Sequence, residues 1–277
     1  MSPAGGTSPL TIAVVYPDLL GTYGDGGNGL VLARRASWRG IDSRLVQAES
    51  GRPLPAADIY LIGGGEDGPG VSAAAALRAD GALGRAVDRG AVVIGVCAGF
   101  QLLGHSFPDR HDRPREGLGL LDVTTRKGTG RRAVGDLVAR PTSAAPRLPS
   151  GRELPPLIGF ENHSGVTAVG PGARPLATVV TGVGNGGGDR SEGAWSDRVL
   201  GTYLHGPVLA RNPALADLVL GWAQSPSGEL APLDDAEESA MRDERLAATR
   251  RPGRFRPVFR ATGRWRRRDP RAPGAAR

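Results

Sequence analysis

Three short, largely apolar runs constrain the fold most: LTIAVVY (residues 10–16), DIYLI (58–62) and AVVIGV (91–96). Each breaks into a glycine-rich turn. Runs of four to eight residues with no polar alternation fit strands buried on both faces, which belong to parallel sheets covered by helices. The stretches between them agree. LVLARRASWRG reads as a helix stopping at Gly40, SAAAALRADGALGRAVDRG is helical up to Gly90, and AGFQLLGH begins another helix. IDSRLVQ alternates as a further strand. The expectation is an α/β fold: a mostly parallel central sheet flanked by helices.

Beyond residue 116 the pattern changes. GLGLLDVTT, AVGDLVA, LIGFENHSG, PLATVV, EGAWSD and VLGTYLH are short strand-like runs between glycine-rich turns. They are expected to extend the sheet, in part antiparallel. NPALADLVLGWAQ (212–224) is a helix, with Asn212 as its N-cap and Pro213 at the first position. The predicted organisation is a main domain over 8–225, a C-terminal helix over 226–250 and a tail over 251–277.

Charge separates the tail from the body. Of 35 Lys and Arg residues, 13 arginines lie between Arg242 and Arg277, against only Asp243, Glu244 and Asp269. The rest of the chain is mildly acidic. The tail is expected to be a solvated, disordered extension, and no nucleic-acid partner is expected. A single cysteine excludes an internal disulfide, and no apolar run approaches 18 residues. With no charged-then-apolar leader, these features point to a cytoplasmic protein. No metal-ligand spacing is present.

The lone cysteine stands in AVVIGVCAGFQLLG, where a buried strand meets a helix. Gly95 and Gly99 flank Cys97 at minus two and plus two. That is the spacing of a nucleophile elbow, a sharp turn in which only glycine lets the neighbouring backbone close in. A core cysteine would leave both glycines unexplained. The helix start favours a thiolate, and the Ala98 N–H is placed to donate to an oxyanion. LIGGGEDG (61–68) ends a second strand and offers the Gly64 N–H as the other half of an oxyanion hole. His205, in GTYLHGP, ends the last strand-like run, a common position for a catalytic base. Gly206 and Pro207 follow it, so no nearby downstream carboxylate orients the ring.

Together these residues carry a resemblance. Gly95, Cys97, Gly99 and Gln101, with a later strand ending in His205, resemble the class I glutamine amidotransferases and imply their flavodoxin-like sheet. YPDLLGTYGDGGN, LIGGGEDG, GVCAGFQLLG, EGLGLLDVTT, GFENHSG and VLGTYLHGPVLARNP place the chain near the cobyric acid synthase-like (CobB/CobQ-type) branch. Within it the chain is similar to the GatD-type glutaminase subunits of lipid II isoglutaminyl synthases. The resemblance implies that Cys97 attacks the glutamine carboxamide and His205 transfers the protons. Arg132, in RRAVGDL, would contact substrate. It implies a MurT-like partner of the Mur-ligase family, holding ATP and Mg, that amidates the D-glutamate of the peptidoglycan stem peptide. This chain has no G-x-x-x-x-G-K-[ST] loop and is expected to hold no cofactor of its own.

Many class I amidotransferases read H-x-E where this sequence reads His205-Gly206-Pro207. The expectation is a Cys–His dyad completed by a carboxylate from the partner. His163, Glu161 and Asn162 share a stretch that could line the pocket, while His105 and His111 are expected to be structural or solvated. Rival readings are a glutaminase serving cobyrinate or another cofactor, a standalone cysteine hydrolase, and a non-catalytic scaffold.

Overall fold

The computed structural model describes residues 8–22, 24–224 and 229–249. Its first half runs β1 (Leu10–Val15), α1 (Gly27–Trp38), β2 (Ser43–Ala48), β3 (Ile59–Ile62), α2 (Asp67–Asp80), α3 (Ala82–Asp88), β4 (Val92–Val96) and α4 (Ala98–Leu103). Next come β5 (Ser106–Pro108), β6 (Pro114–Glu116), β7 (Val123–Lys127), β8 (Ala133–Pro141), β9 (Leu157–His163) and β10 (Gly165–Val169). The chain continues through β11 (Ala177–Thr181), β12 (Ser191–Glu192), β13 (Ala194–Ser196), β14 (Val199–Thr202), α5 (Val208–Arg211), α6 (Pro213–Gln224) and α7 (Ala236–Thr249).

The central sheet has the order β13-β14-β4-β3-β1-β2. It is parallel throughout except for β13, which pairs antiparallel with β14 at one edge. All residues of β1, β3 and β4 are buried, as their apolar runs require, whereas the edge strand β2 is only partly covered. α7 falls inside the expected C-terminal helix. The expected Arg-rich tail over 251–277 lies outside the described residues.

Three local expectations change. The helical stretch before Gly90 divides at Gly81, which turns left-handed at φ +63°. GLGLL forms no strand. Instead the N–H groups of Leu118, Leu120 and Leu121 donate to the carbonyls of Leu102 and Leu103, serving the exposed end of α4. The later strands do not extend the central sheet either, apart from β13 and β14. They form two separate four-stranded sheets, β10-β7-β5-β6 and β12-β11-β8-β9, because β13 closes the edge at β14 and β8 pairs with β9 over seven residues.

Asn212 also departs from its expected capping role. Its side-chain oxygen accepts the Ile158 N–H at 2.9 Å, and its amide donates to Ile158 O and Val208 O at 2.8 Å each. The residue bolts β9 to the α5–α6 corner. Only its backbone carbonyl serves the helix, accepting from Leu215 and Ala216.

A second fastening is ionic. Arg35 of α1 is 3% exposed and bonds Asp217 of α6 through two parallel contacts of 2.8 Å, and Asp235 at 2.6 Å. Burial works against its charge, but hydrogen bonds to Asp235 and Asp217 hold the guanidinium pKa above its ordinary value. Losing Arg35 would take the guanidinium from partly buried Asp235 and leave Asp217 to Arg39 Nη2 at 2.8 Å. Arg35→Ala is expected to lower unfolding free energy by about 3 kcal/mol, read from denaturant midpoints. A change under about 0.5 kcal/mol would contradict this role.

Candidate active site

Parallel pairing brings the ends of β4 and β14 together. Val96 stands opposite Thr202, and the next amide, Cys97 N–H, donates to Thr202 O at 2.9 Å. Cys97 has φ +53° and ψ −105°, outside the regions ordinary L-residues favour. The two flanking glycines explain how so tight a turn packs. A Cβ on Gly95 would stand 2.7 Å from the Gly99 backbone and from Leu103 Cδ1, and a Cβ on Gly99 would stand 2.2 Å from Ile62 O. The elbow expected from the sequence is therefore present, with strain held by backbone contacts.

His205 lies three residues beyond β14 and is fully buried. Its backbone exchanges two hydrogen bonds with Phe160, and its ring stacks on the Phe160 ring at 5.2 Å between centroids. Behind it, Glu192 Oε1 accepts from Thr202 Oγ1 and from the Tyr203 N–H, fixing the strand's exit. Burial pushes the Glu192 carboxyl up to about 7.

A carboxylate of this chain, which the sequence reading did not single out, stands beside the His205 ring. Asp25 places Oδ2 at 3.2 Å and Oδ1 at 3.3 Å from His205 Nδ1. It comes from GTYGDGGNG, which the sequence presents only as a glycine-rich turn. No local spacing joins residues 180 apart. The one available signal was an acid in the turn after a buried parallel strand, at the end of the sheet where ligands bind.

The Gly64 expectation is also corrected. Its N–H donates to Asp25 Oδ2 at 2.9 Å and is therefore engaged, while the neighbouring Gly65 lines the cavity beside Cys97. Ala98 stands where expected, at the first position of α4, and its N–H lies against the Cys97 sulfur. Arg132 lines the same cavity. It donates from Nε to Asn162 Oδ1 at 2.6 Å and from Nη2 to Asn162 O at 3.0 Å, and that carbonyl oxygen lies 4.0 Å from the Cys97 thiol.

Of the remaining candidates, Asn162 lines the cavity and Glu161 does not. Glu161 is buried and accepts the N–H groups of Val183 and Gly184, so it holds a turn. His163 stacks on Tyr203 with centroids 3.8 Å apart and its Nδ1 lies 3.1 Å from Gly165 O. His105 pairs with Asp122, and His111 accepts from Arg110. The sequence reading also passed over Tyr203, whose hydroxyl bonds Gln101 and Thr167 beneath the cavity floor. Among the described residues, no group of three or more His, Cys, Asp and Glu side chains is arranged to hold a metal.

The electrostatics are those of a resting site. Burial, and then the Asp25 charge, push the Cys97 thiol up to about 12, against smaller opposing effects of the Ala98 N–H and the Arg132 charge. The helix start therefore does not suffice to make a thiolate here. The cavity measures about 40 Å³, room for a few waters. The Arg132–Asn162 clasp forms one wall of it.

A parallel sheet with a strained cysteine elbow, and a carboxylate-backed histidine just beyond the adjoining strand, has the architecture of class I glutamine amidotransferases. A solved glutamine amidotransferase superposes with a TM-score of 0.51 at 21% identity, over 77% of this chain and 99% of that one, which speaks for the fold alone. The sequence goes further. Residues 11–213 match the CobB/CobQ-like glutamine amidotransferase domain, and the chain belongs to that family. It is 34% identical over 214 residues to the lipid II isoglutaminyl synthase (glutamine-hydrolyzing) subunit GatD of Staphylococcus aureus strain N315, covering 76% of this chain and 83% of that one. Cobyric acid synthase of Pelotomaculum thermopropionicum is 34% identical over 221 residues, but the match spans only 40% of its length. The chain is thus an amidotransferase enzyme of the glutaminase kind.

Proposed function

We propose that this chain is the glutamine-hydrolysing subunit of a lipid II isoglutaminyl synthase. The similarity to GatD over most of both chains carries this reading, because the likeness to cobyric acid synthase stops well short of that protein's length. In the proposed reaction His205 takes the Cys97 thiol proton. The sulfur then adds to the side-chain carbonyl carbon of glutamine, whose oxygen is received by the Ala98 N–H and an amide of the 63–65 loop. The C–N bond breaks as His205 returns the proton to nitrogen, releasing ammonia. Water, deprotonated by His205, then cleaves the thioester to glutamate. Arg132 is a guanidinium at the mouth, suited to the α-carboxylate of glutamine.

Ammonia is a useful product only where an acceptor carboxylate has been activated. The proposal therefore includes a MurT-like, Mur-ligase-family partner that holds ATP and Mg and amidates the D-glutamate of the stem peptide. This chain would hold no cofactor and work in the cytoplasm, reaching lipid II through the partner. Among the described residues, no helix is long and apolar enough to cross a membrane. Purification from the native host should bring down an ATP-using ligase of that family in a stable complex. Full glutaminase activity in the lone chain, with no such companion, would instead favour a standalone hydrolase.

A further inference from the structure

We propose that Asp25 is the positioning residue for His205, and that the same carboxylate ties the 63–65 loop to the proton-transfer pair. The inference rests on the reading of Cys97 and His205 as the reacting pair. Asp25 is 2% exposed and His205 fully buried, so their contact is shielded from water. A carboxylate on Nδ1 fixes the tautomer, leaving Nε2 to accept the thiol proton, and it stabilises the imidazolium that forms. Asp25 Oδ2 also takes the Gly64 N–H, so one side chain sets both the base and the loop beside the cavity.

The surrounding structure holds this contact in register. Asp25 O accepts the Asn28 N–H at 3.0 Å, at the entry to α1. Asn28 Oδ1 in turn accepts the Leu209 N–H at 2.9 Å, bolting α1 to α5 just after His205. Gly27 meets Pro207 so closely that a Cβ would stand 2.5 Å from Pro207 Cγ. Pro207 occupies the position at which an H-x-E motif would carry its glutamate. Here that position instead seats the α1 entry against the histidine loop, and the carboxylate arrives from Asp25. A Cβ on Gly63 would stand 3.2 Å from Asp25 Cβ and 2.2 Å from Leu20 O, so glycine there lets the acid approach.

The test uses the full chain, with and without any subunit that co-purifies with it. Asp25→Asn is expected to lower kcat for glutamine hydrolysis by about 10²- to 10⁴-fold. KM should stay within about threefold and Asp25→Glu should recover part of the rate. In the Cys97→Ala chain, proton NMR should show an exchange-protected, low-field imidazole Nδ1 proton that Asp25→Asn removes. An Asp25→Asn chain with near-normal kcat would overturn the inference while leaving Cys97 in its role. So would a loss that tracks unfolding and is not recovered by Asp25→Glu. If Asp25→Asn does not fold, absence of the low-field proton in the Cys97→Ala chain overturns it. Hydrolysis retained by Cys97→Ala itself would instead sink the underlying reading.

Discussion

A chain carrying Cys97→Ala is expected to fold normally and release essentially no ammonia from glutamine. Removing the attacking atom of a covalent mechanism leaves only binding and oxyanion contacts, so the rate should fall about 10⁴-fold or more. The backbone should tolerate the change. The left-handed turn at residue 97 is held by its own amide on Thr202 O and by Gln101 N–H on Cys97 O, neither of which involves the thiol. Cys97→Ser is expected to be equally inactive, since burial that pushes a thiol up to about 12 disfavours ionising a still weaker acid more. The same burial predicts how the free enzyme reacts. Below its pKa the thiol is mostly protonated, and each pH unit upward raises the thiolate fraction about tenfold. Alkylation by a small neutral reagent should therefore be slow at pH 7 and rise steeply toward pH 9. A coupled ammonia assay checks the first result and mass spectrometry the second. Hydrolysis above about 1% of wild type in Cys97→Ala would contradict the proposed chemistry.

The elbow was legible because its whole signal is local. Gly95, Cys97 and Gly99 lie within five residues, and the steric reason for that spacing is the one the structure shows. The parallel sheet was legible for a related reason, since fully buried strands need no alternation to be recognised. Asp25 was not, because its meaning depends on a contact across 180 residues that only chain topology supplies. Gly64 failed similarly. The loop was placed correctly beside the cavity, but which of its amides faces inward depends on a side chain from another loop. Of the later strands, β13 and β14 join the central sheet as expected, whereas β7 to β11 were expected there and pair in two other sheets. Period-two patterning gives a strand's faces, whereas its partner is chosen by turns and edges that the pattern does not record.

Gly99→Ala is expected to damage both fold and activity, and it separates the elbow's architecture from its chemistry. The added methyl would stand 2.2 Å from Ile62 O, 2.8 Å from Ile62 C and 3.1 Å from Gly63 O. These are backbone atoms of β3 and its turn, so no side-chain rotation relieves the contact, and the start of α4 must move. Gly99 N–H also donates to Gly63 O at 3.1 Å, and that bond would lengthen as the helix retreats. Overpacking of this kind costs about 1–3 kcal/mol, and backbone obstruction argues for the upper part of that range. The thermal midpoint should fall roughly 5–10 °C. The shift carries Cys97 away from Thr202 and tilts the Ala98 N–H. A displacement near 1 Å in a reacting group can cost about 10²-fold in rate, so the folded remainder should hydrolyse glutamine at about 1% of wild type or less. Gly68→Ala is the matched control. It lies in α2 with nothing within 4 Å of the new methyl, so it should keep wild-type activity. Replacing a helical glycine there should leave stability unchanged or raise it by up to about 1 kcal/mol. Calorimetry and the ammonia assay on the two variants decide the matter. A Gly99→Ala chain with wild-type melting and turnover would show that α4 does not need its close approach to β3 to present Cys97.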